Sequence, residues 1–260
     1  MVGDGVNDVP ALKEANLAVV MNDGAQIAKD VADIVLLNNA MSTLPRAFHE
    51  GRAITQSIFA TVKIFLVKNI YSTLFFIFAG FMRMPFPISP IQISWVTFGI
   101  INIPAGLVAI RVLKPSYMKR FRHDVLDYVL IAGAVGAAAL SLLYAFSYLT
   151  NDGDVWRSRS TIMIFISFYG LQVLWNVHGL YITRFSTVLP RPRLFLGGIA
   201  ITALTIAVPY FLPDLLEFVP PSRLEWGLAI VIYVIAAVLI EVVSHRRNPL
   251  AGLWLLSKPQ

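Results

Sequence analysis

Six apolar stretches, each close to the length of a bilayer-crossing helix, decide most of what this chain can become. They are residues 59–82, 91–110, 128–149, 161–182, 194–212 and 226–243. At about 1.5 Å of rise per residue, roughly 20 apolar residues cross a hydrocarbon core about 30 Å thick. The first stretch carries Lys63 and Lys68 near its start, the last carries Glu241, and the other four have no formal charge. Hydrophobic residues make up 57% of the chain and charged residues 14%. Soluble domains carry about 25% charge, so a soluble enzyme is disfavoured and disorder is excluded. The expectation is a mainly α membrane protein with six transmembrane helices.

The connecting segments orient those helices. With the N-terminus inside, the inner segments hold Arg111, Lys114, Lys119, Arg120, Arg122, Arg184, Arg191, Arg193, Arg246, Arg247 and Lys258. The outer ones hold Arg83, Arg157, Arg159 and Arg223, beside Asp152, Asp154, Asp214, Glu217 and Glu225. Eleven cations against four is a positive-inside bias, which puts both termini in the cytoplasm. The same placement explains the net charge of +6 without nucleic acid, because the cations sit between apolar runs rather than on one face. Cysteine is absent, which removes disulfides, thiolate metal sites and a thiol nucleophile. The Gly- and Asp-rich N-terminus does not read as a signal peptide. Trp95, Tyr128, Trp156, Tyr181 and Trp226 fall near the expected span ends, and Gly133, Gly136, Ala137 and Ala138 would let helices approach closely.

Residues 1–54 differ from the rest: seven acidic against four basic side chains, with no long apolar run. They read as part of an α/β unit. Strands are expected at 1–2, 17–21 and 33–37, and helices at 10–16 and 25–32, with Pro10 at a first helical position. A further helix should start near Ser42 and run through Arg52 into the first span. So short a head, with its first strand at Met1, implies further strands upstream.

The chemistry sits in Gly3-Asp4-Gly5-Val6-Asn7-Asp8, followed by Val9-Pro10-Ala11-Leu12-Lys13. Two carboxylates and a carboxamide project from a tight turn at the C-terminal end of a strand, where open parallel sheets bind ligands. Asp4 and Asp8 are hard oxygen donors suited to Mg²⁺, which takes one or two carboxylates together with phosphate oxygens and water. Gly3 and Gly5 permit close backbone approach, and Asn7 can donate to a phosphate oxygen. An acidic surface turn is the plainer reading of the same residues.

Gly3–Leu12 resembles the GDGxNDxxAL hinge motif of P-type cation-transporting ATPases. Ala32-Asp33-Ile34-Val35-Leu36-Leu37 and Glu50-Gly51-Arg52-Ala53-Ile54 match stretches that follow it in that family. The resemblance implies a truncated haloacid-dehalogenase-like segment, residues 1–54, as the C-terminal part of the cytoplasmic phosphorylation domain. It implies that residues 55–260 form the fifth to tenth spans of a ten-span pump. By that similarity Asp4 ligates Mg²⁺, Asp8 supports the metal and the loop, and Asn7 contacts the phosphoryl group, with ATP bound elsewhere in the complete pump. The DKTGT sequence that carries the family's nucleophile has no counterpart here, so an upstream pump fragment is the implied partner and the chain alone should be inactive.

For the ion path, uncharged oxygens and broken helices at mid-membrane depth are the features to seek. The first span offers Lys68, Asn69, Ser72 and Thr73; the second offers Thr97, Asn102 and Pro104, with residues 99–104 able to unwind. Neither span has an acidic residue, unlike the family's calcium and sodium pumps. Lys68-Asn69-Ile70-Tyr71-Ser72-Thr73-Leu74 is similar to the KxxYxTL of a bacterial subgroup linked to calcium. That similarity makes calcium the first candidate cation and a bacterial plasma membrane the expected location. Plainer readings stand beside these: Lys68 snorkels to the inner interface, Asn102 caps a kink, and His178 with Asn176 makes an interhelical hydrogen bond. Two other functions compete, a non-catalytic membrane scaffold and a membrane-anchored haloacid-dehalogenase phosphatase. The phosphatase needs a DxD nucleophile motif in the head, and residues 1–54 hold none.

Overall fold

The computed structural model describes residues 1–110 and 125–245. Two units emerge, one formed by Met1–Thr55 and the other by the chain from Gln56 onward.

In the first unit, β1 (Val2–Gly3), α1 (Val9–Glu14), β2 (Val19–Met21), α2 (Gln26–Lys29) and β3 (Ile34–Leu36) alternate. The three strands form a parallel sheet in the order β1-β2-β3, with Val2 beside Val19 and Val20 beside Val35. Leu12, Ala18, Val20 and Ala28 are its buried core. The alternation agrees with the sequence reading, although β1 is shifted by one residue and the other four elements are shorter than expected. Pro10 is the second residue of α1 rather than the first, because a 3₁₀ turn at Val6–Asp8 already winds the chain into the helix. Asp33 extends the sheet's support by accepting the Ala18 N–H through Oδ2 at 2.8 Å, just before β2.

The second unit is helical. Six helices are long and apolar enough to cross a membrane. They are α3 (Thr43–Phe81), a broken span of α4 (Pro90–Thr97) and α5 (Ile103–Ala109), α6 (Asp127–Thr150), α7 (Val155–Val177), α8 (Pro192–Phe211) and α9 (Arg223–His245). As expected, α3 runs without interruption from the head into the first span. Ser89 and Gln92 close a capping box at the start of α4, where Pro90 needs no N–H partner. The cationic stretches 111–124 and 246–260, with eight of the eleven cations expected on the inner side, lie outside the described residues.

Hydropathy misplaced the fourth span. It was expected at 161–182, but α7 starts six residues earlier and ends at Val177. Its first turns carry Arg157, Ser158, Arg159 and Ser160, which a hydropathy window penalises. Protein groups take up their polar ends: Arg157 Nη1 donates to Asn151 Oδ1 at 3.4 Å, Ser158 Oγ to the Asp154 carbonyl at 2.7 Å, and Arg159 Nε to the Phe86 carbonyl at 2.9 Å. Gly179, at φ +71°, takes the left-handed turn that ends the helix after His178. This helix is the centre of the bundle, with 94% of its apolar window buried against 28% for α3, α8 and α9.

Small residues set the close approaches. A Cβ on Gly133 would lie 2.3 Å from Ile70 Cγ2 of α3, and one on Gly136 would lie 2.7 Å from the Tyr169 ring of α7. Ala138, expected in the same role, faces outward. Trp95 also joins two helices: its indole N–H donates to the Thr205 carbonyl of α8 at 2.9 Å.

Candidate functional site

The acidic loop leaves β1 and folds onto itself. Asp8 Oδ2 accepts the backbone N–H of Asp4 at 3.0 Å and of Gly5 at 3.1 Å, so one carboxylate holds both arms of the turn. These two donors, Gly5 first, lower the pKa of Asp8 below the ordinary aspartate value. Gly3 is required by this fold-back, because a Cβ there would sit 2.7 Å from Asp8 Cβ. At Gly5 a Cβ would meet nothing closer than 3.7 Å. The Asp4 carbonyl accepts the Ala25 N–H at 2.8 Å, pinning the loop to the start of α2. The Asp4 and Asn7 side chains remain exposed at the C-terminal end of β1. The loop therefore divides the work: Asp8 shapes it and Asp4 is presented outward.

That donor set fits a Mg²⁺ ion, which takes one or two carboxylates and completes its shell with phosphate oxygens and water. Among the described residues no group of three acidic, histidine or cysteine side chains could hold a metal by itself. An ion here would take Asp4, with Asp8 beside it, and draw its other ligands from outside the described residues.

In the membrane unit, a cavity of ≈ 20 Å³ lies between α3 and the α4–α5 span, room for about one water molecule. Its lining includes Lys68, Tyr71, Ser72 and Phe75 from α3 and Val96, Thr97 and Ile100 from the facing span. Of the expected path residues, Ser72 and Thr97 meet here. Asn69, Thr73 and Asn102 are exposed, and Pro104 is buried away from the cavity. The helical register carried this signal, since residues 68, 71, 72 and 75 share one face whereas 69 and 73 point elsewhere.

Residues 99–104 do not unwind. Phe98–Asn102 form a π-helical turn, in which the Ile103 N–H reaches back to the Phe98 carbonyl. The wider register lets the helix pass Pro104, which has no N–H to give. Gly99 and Gly170 admit the bulge, because a Cβ on Gly99 would strike Thr205 Oγ1 at 2.3 Å and one on Gly170 would strike Ile100 Cγ2 at 1.6 Å.

Comparison with known sequences meets this architecture on both sides. Residues 85–245 match the family model described as cation transporting ATPase, C-terminus, and residues 1–47 match that of haloacid dehalogenase-like hydrolases. The chain belongs to the cation transporting ATPases. The calcium-transporting ATPase CtpE of Mycobacterium tuberculosis (strain CDC 1551 / Oshkosh) is 28% identical over 97% of this chain and 32% of its own length. The sodium/potassium exporting P-type ATPase cta3 of Schizosaccharomyces pombe is 25% identical over 97% of the chain and 29% of its own. A calcium-transporting ATPase of Bacillus subtilis is 36% identical over 46% of the chain. The chain thus spans about a third of the length of the first two relatives.

In this cation transporting ATPase chain, the best-satisfied buried charges were not singled out from sequence. Glu241 of α9 is 1% exposed and accepts from Gln172 Nε2 at 2.6 Å, the Ile182 and Thr183 N–H groups at 2.8 Å each, and Thr183 Oγ1 at 2.6 Å. Glu225, at the other end of the same helix, accepts from Ser147 Oγ, Asn151 Nδ2, Thr161 Oγ1 and the Ser222 N–H. Each carboxylate ties α9 to α7 or its flanking segments, and neither lines the cavity beside Lys68. The expected interhelical bond of His178 is replaced by a local one, its Nδ1 donating to the Leu174 carbonyl one turn back at 2.8 Å. Asn176 instead faces Gln172 and Glu241. A charged residue in an apolar run was the available signal for Glu241; its partners lie about 60 residues away and gave none.

Proposed function

We propose that the chain supplies the magnesium-binding loop and part of the ion path of an ATP-driven cation pump, and that it is inactive alone. Residues 1–54 act as the C-terminal part of the phosphorylation domain, and residues 55–260 as a six-helix transmembrane domain with both termini cytoplasmic. The observation that carries the reading is the Asp8 fold-back, which leaves Asp4 exposed at the end of a parallel strand. Calcium is the proposed cation and a bacterial plasma membrane the proposed location, supported by the mycobacterial and Bacillus relatives.

When bound, Mg²⁺ supplies positive charge against the negative charge that develops on a transferring phosphoryl group. Asp4 and Asp8 would hold it; Asp8 also fixes the turn through the Asp4 and Gly5 N–H groups. Asn7 donates its carboxamide N–H to a phosphoryl oxygen, and Gly3 lets Asp8 pack against the strand end. On the membrane side, Ser72 and Thr97 offer hydroxyl oxygens to the passing cation, with Asn69, Thr73, Asn102 and Pro104 further along the same two spans.

The test joins this chain to an upstream portion that carries the aspartyl nucleophile. Asp4→Asn removes one anionic ligand with little change of shape. Phosphorylation at limiting Mg²⁺ should fall roughly 10²–10³-fold, the scale seen when a single preorganised electrostatic contact is lost. Asp23→Asn, outside the loop, should leave it unchanged. Wild-type phosphorylation in Asp4→Asn would end this assignment.

A further inference from the structure

Asp8 does not hold the acidic loop alone. A second turn, residues 22–25, leaves the C-terminal end of β2 beside it, and its Ala25 N–H donates to the Asp4 carbonyl. Gly24 stands where the two turns come closest. A Cβ there would lie 2.9 Å from the Asp4 carbonyl oxygen, 3.0 Å from the Met21 carbonyl oxygen and 3.0 Å from Cγ1 of the buried Val20. Two of those neighbours are backbone atoms, which cannot swing aside as the end of a side chain can. Which turn would give way depends on which is held harder. The Asn22 N–H donates to the Leu36 carbonyl at 3.1 Å, and Lys29 Nζ donates to the Asn22 carbonyl at 3.0 Å. The Asp23 N–H donates to Asn39 Oδ1 at 3.0 Å, and the Gly24 N–H donates to the Met21 carbonyl at 3.0 Å. Asn39 itself is at φ +52°, the left-handed region that asparagine enters more readily than most residues. The strand before this turn, β2, pairs with both β1 and β3, whereas Asp4 follows a strand of only two residues. Crowding at position 24 is therefore relieved by a shift of Asp4, not of the turn.

We propose that Gly24 is a positioning residue for the magnesium loop: the room it leaves for the Asp4 carbonyl sets where the Asp4 carboxylate stands, and with it the affinity for the ion. The inference rests on the reading of Asp4 as a metal ligand. Gly24 has no side chain to offer the ion or the phosphoryl group, so its effect falls on metal binding and not on the transfer step. Partners that orient a metal ligand from behind change metal affinity by about 10–100-fold when altered, and Gly24→Ala belongs on that scale.

The test has one readout without turnover. The full chain in phosphatidylcholine–phosphatidylglycerol nanodiscs is titrated with Mn²⁺, which shares the preference of Mg²⁺ for carboxylate and water oxygens. Mn²⁺ held at Asp4 broadens the NMR signals of the Asp4 and Gly5 amides, and the concentration at half-broadening measures affinity. Gly24→Ala should raise that concentration roughly 10–100-fold. Gly51→Ala, whose Cβ meets nothing within 4 Å, should leave it unchanged. The second readout joins the chain to an upstream portion carrying the aspartyl nucleophile. There Gly24→Ala should raise the Mg²⁺ needed for half-maximal phosphorylation by the same factor, with the rate at saturating Mg²⁺ close to wild type. A lower saturating rate with an unchanged Mg²⁺ requirement would overturn the proposal. Asp4→Asn separates the two readings. If it weakens Mn²⁺ binding while Gly24→Ala binds like wild type, the magnesium loop stands and the role of Gly24 falls. If wild type shows no broadening, or Asp4→Asn leaves it unchanged, the magnesium reading fails and this inference with it. Should Gly24→Ala not fold, Asn39→Gly keeps the left-handed backbone and removes the anchor of the turn at Asp23. It should raise the half-broadening concentration about fivefold, the scale of one neutral hydrogen bond; a wild-type titration in Asn39→Gly would then refute the positioning role.

Discussion

Removing the Glu241 carboxylate should loosen the C-terminal end of α9 and its junction with α7 more than any other truncation near that end. Glu241→Ala strips the acceptor from the Gln172 amide, the Thr183 hydroxyl and the backbone N–H groups of Ile182 and Thr183. Hydrogen bonds to a charged group contribute about 1.5–3 kcal/mol each, but they are not additive, and the freed donors recover some of this from water at the interface. Breaking one partner of a buried charged network costs about 3–5 kcal/mol, and that is the expected range. For a chain of this size it corresponds to a fall in Tm of roughly 10 °C. Glu241→Gln keeps one carbonyl oxygen and should cost about half as much. Thermal unfolding in detergent, followed by tryptophan fluorescence, measures the shift, with the exposed neighbour Val242→Ala as control. Hydrogen exchange at the Ile182 and Thr183 amides should rise in Glu241→Ala before global unfolding does. If Glu241→Ala melts within 2 °C of Val242→Ala with those amides still protected, the carboxylate does not hold the α7–α8 connection.

Three further outcomes are expected. Gly170→Ala should destabilise the bundle by about 1–3 kcal/mol, because its Cβ would strike Ile100 on the π-helical turn; Gly197→Ala, which meets nothing within 4 Å, should be neutral or stabilising by up to about 1 kcal/mol, and paired melting curves compare them. The Asp8 carboxylate is favoured by two backbone N–H donors, so its support of the loop is complete above the ordinary aspartate range near about 3.9 and is lost as pH falls through its lowered folded pKa; NMR signals of the Asp4 and Gly5 amides should move together over that acidic window and stay fixed in Asp8→Asn. For orientation, Asp214→Cys should react with an impermeant maleimide applied outside intact cells and Ser186→Cys only after permeabilisation; both positions are exposed, whereas Ser158 in the outer segment is fully buried and would not report.

The sequence alone determined the number of spans, the bounds of most of them, and the acidic turn after a short strand. Those properties are local: hydropathy sums over a window, and Gly3 through Asp8 carry their own turn geometry. Even the fold-back of Asp8 is a contact across four residues. Which polar side chains meet was decided only by the tertiary structure. Ser72 and Thr97 share a cavity with Lys68, while Asn69 and Thr73 point away, because two separate helices packed in one particular register. The start of α7 was hidden because its arginine and serine side chains find partners on Asn151, Asp154 and Phe86, which a transfer scale counts as unsatisfied. Glu241 read as a blemish in an apolar run and proved to be a junction, since its donors come from a helix and a connection about 60 residues earlier in the chain. Burial of a charge is tolerable only where donors converge on it, and convergence is a property of the packed chain.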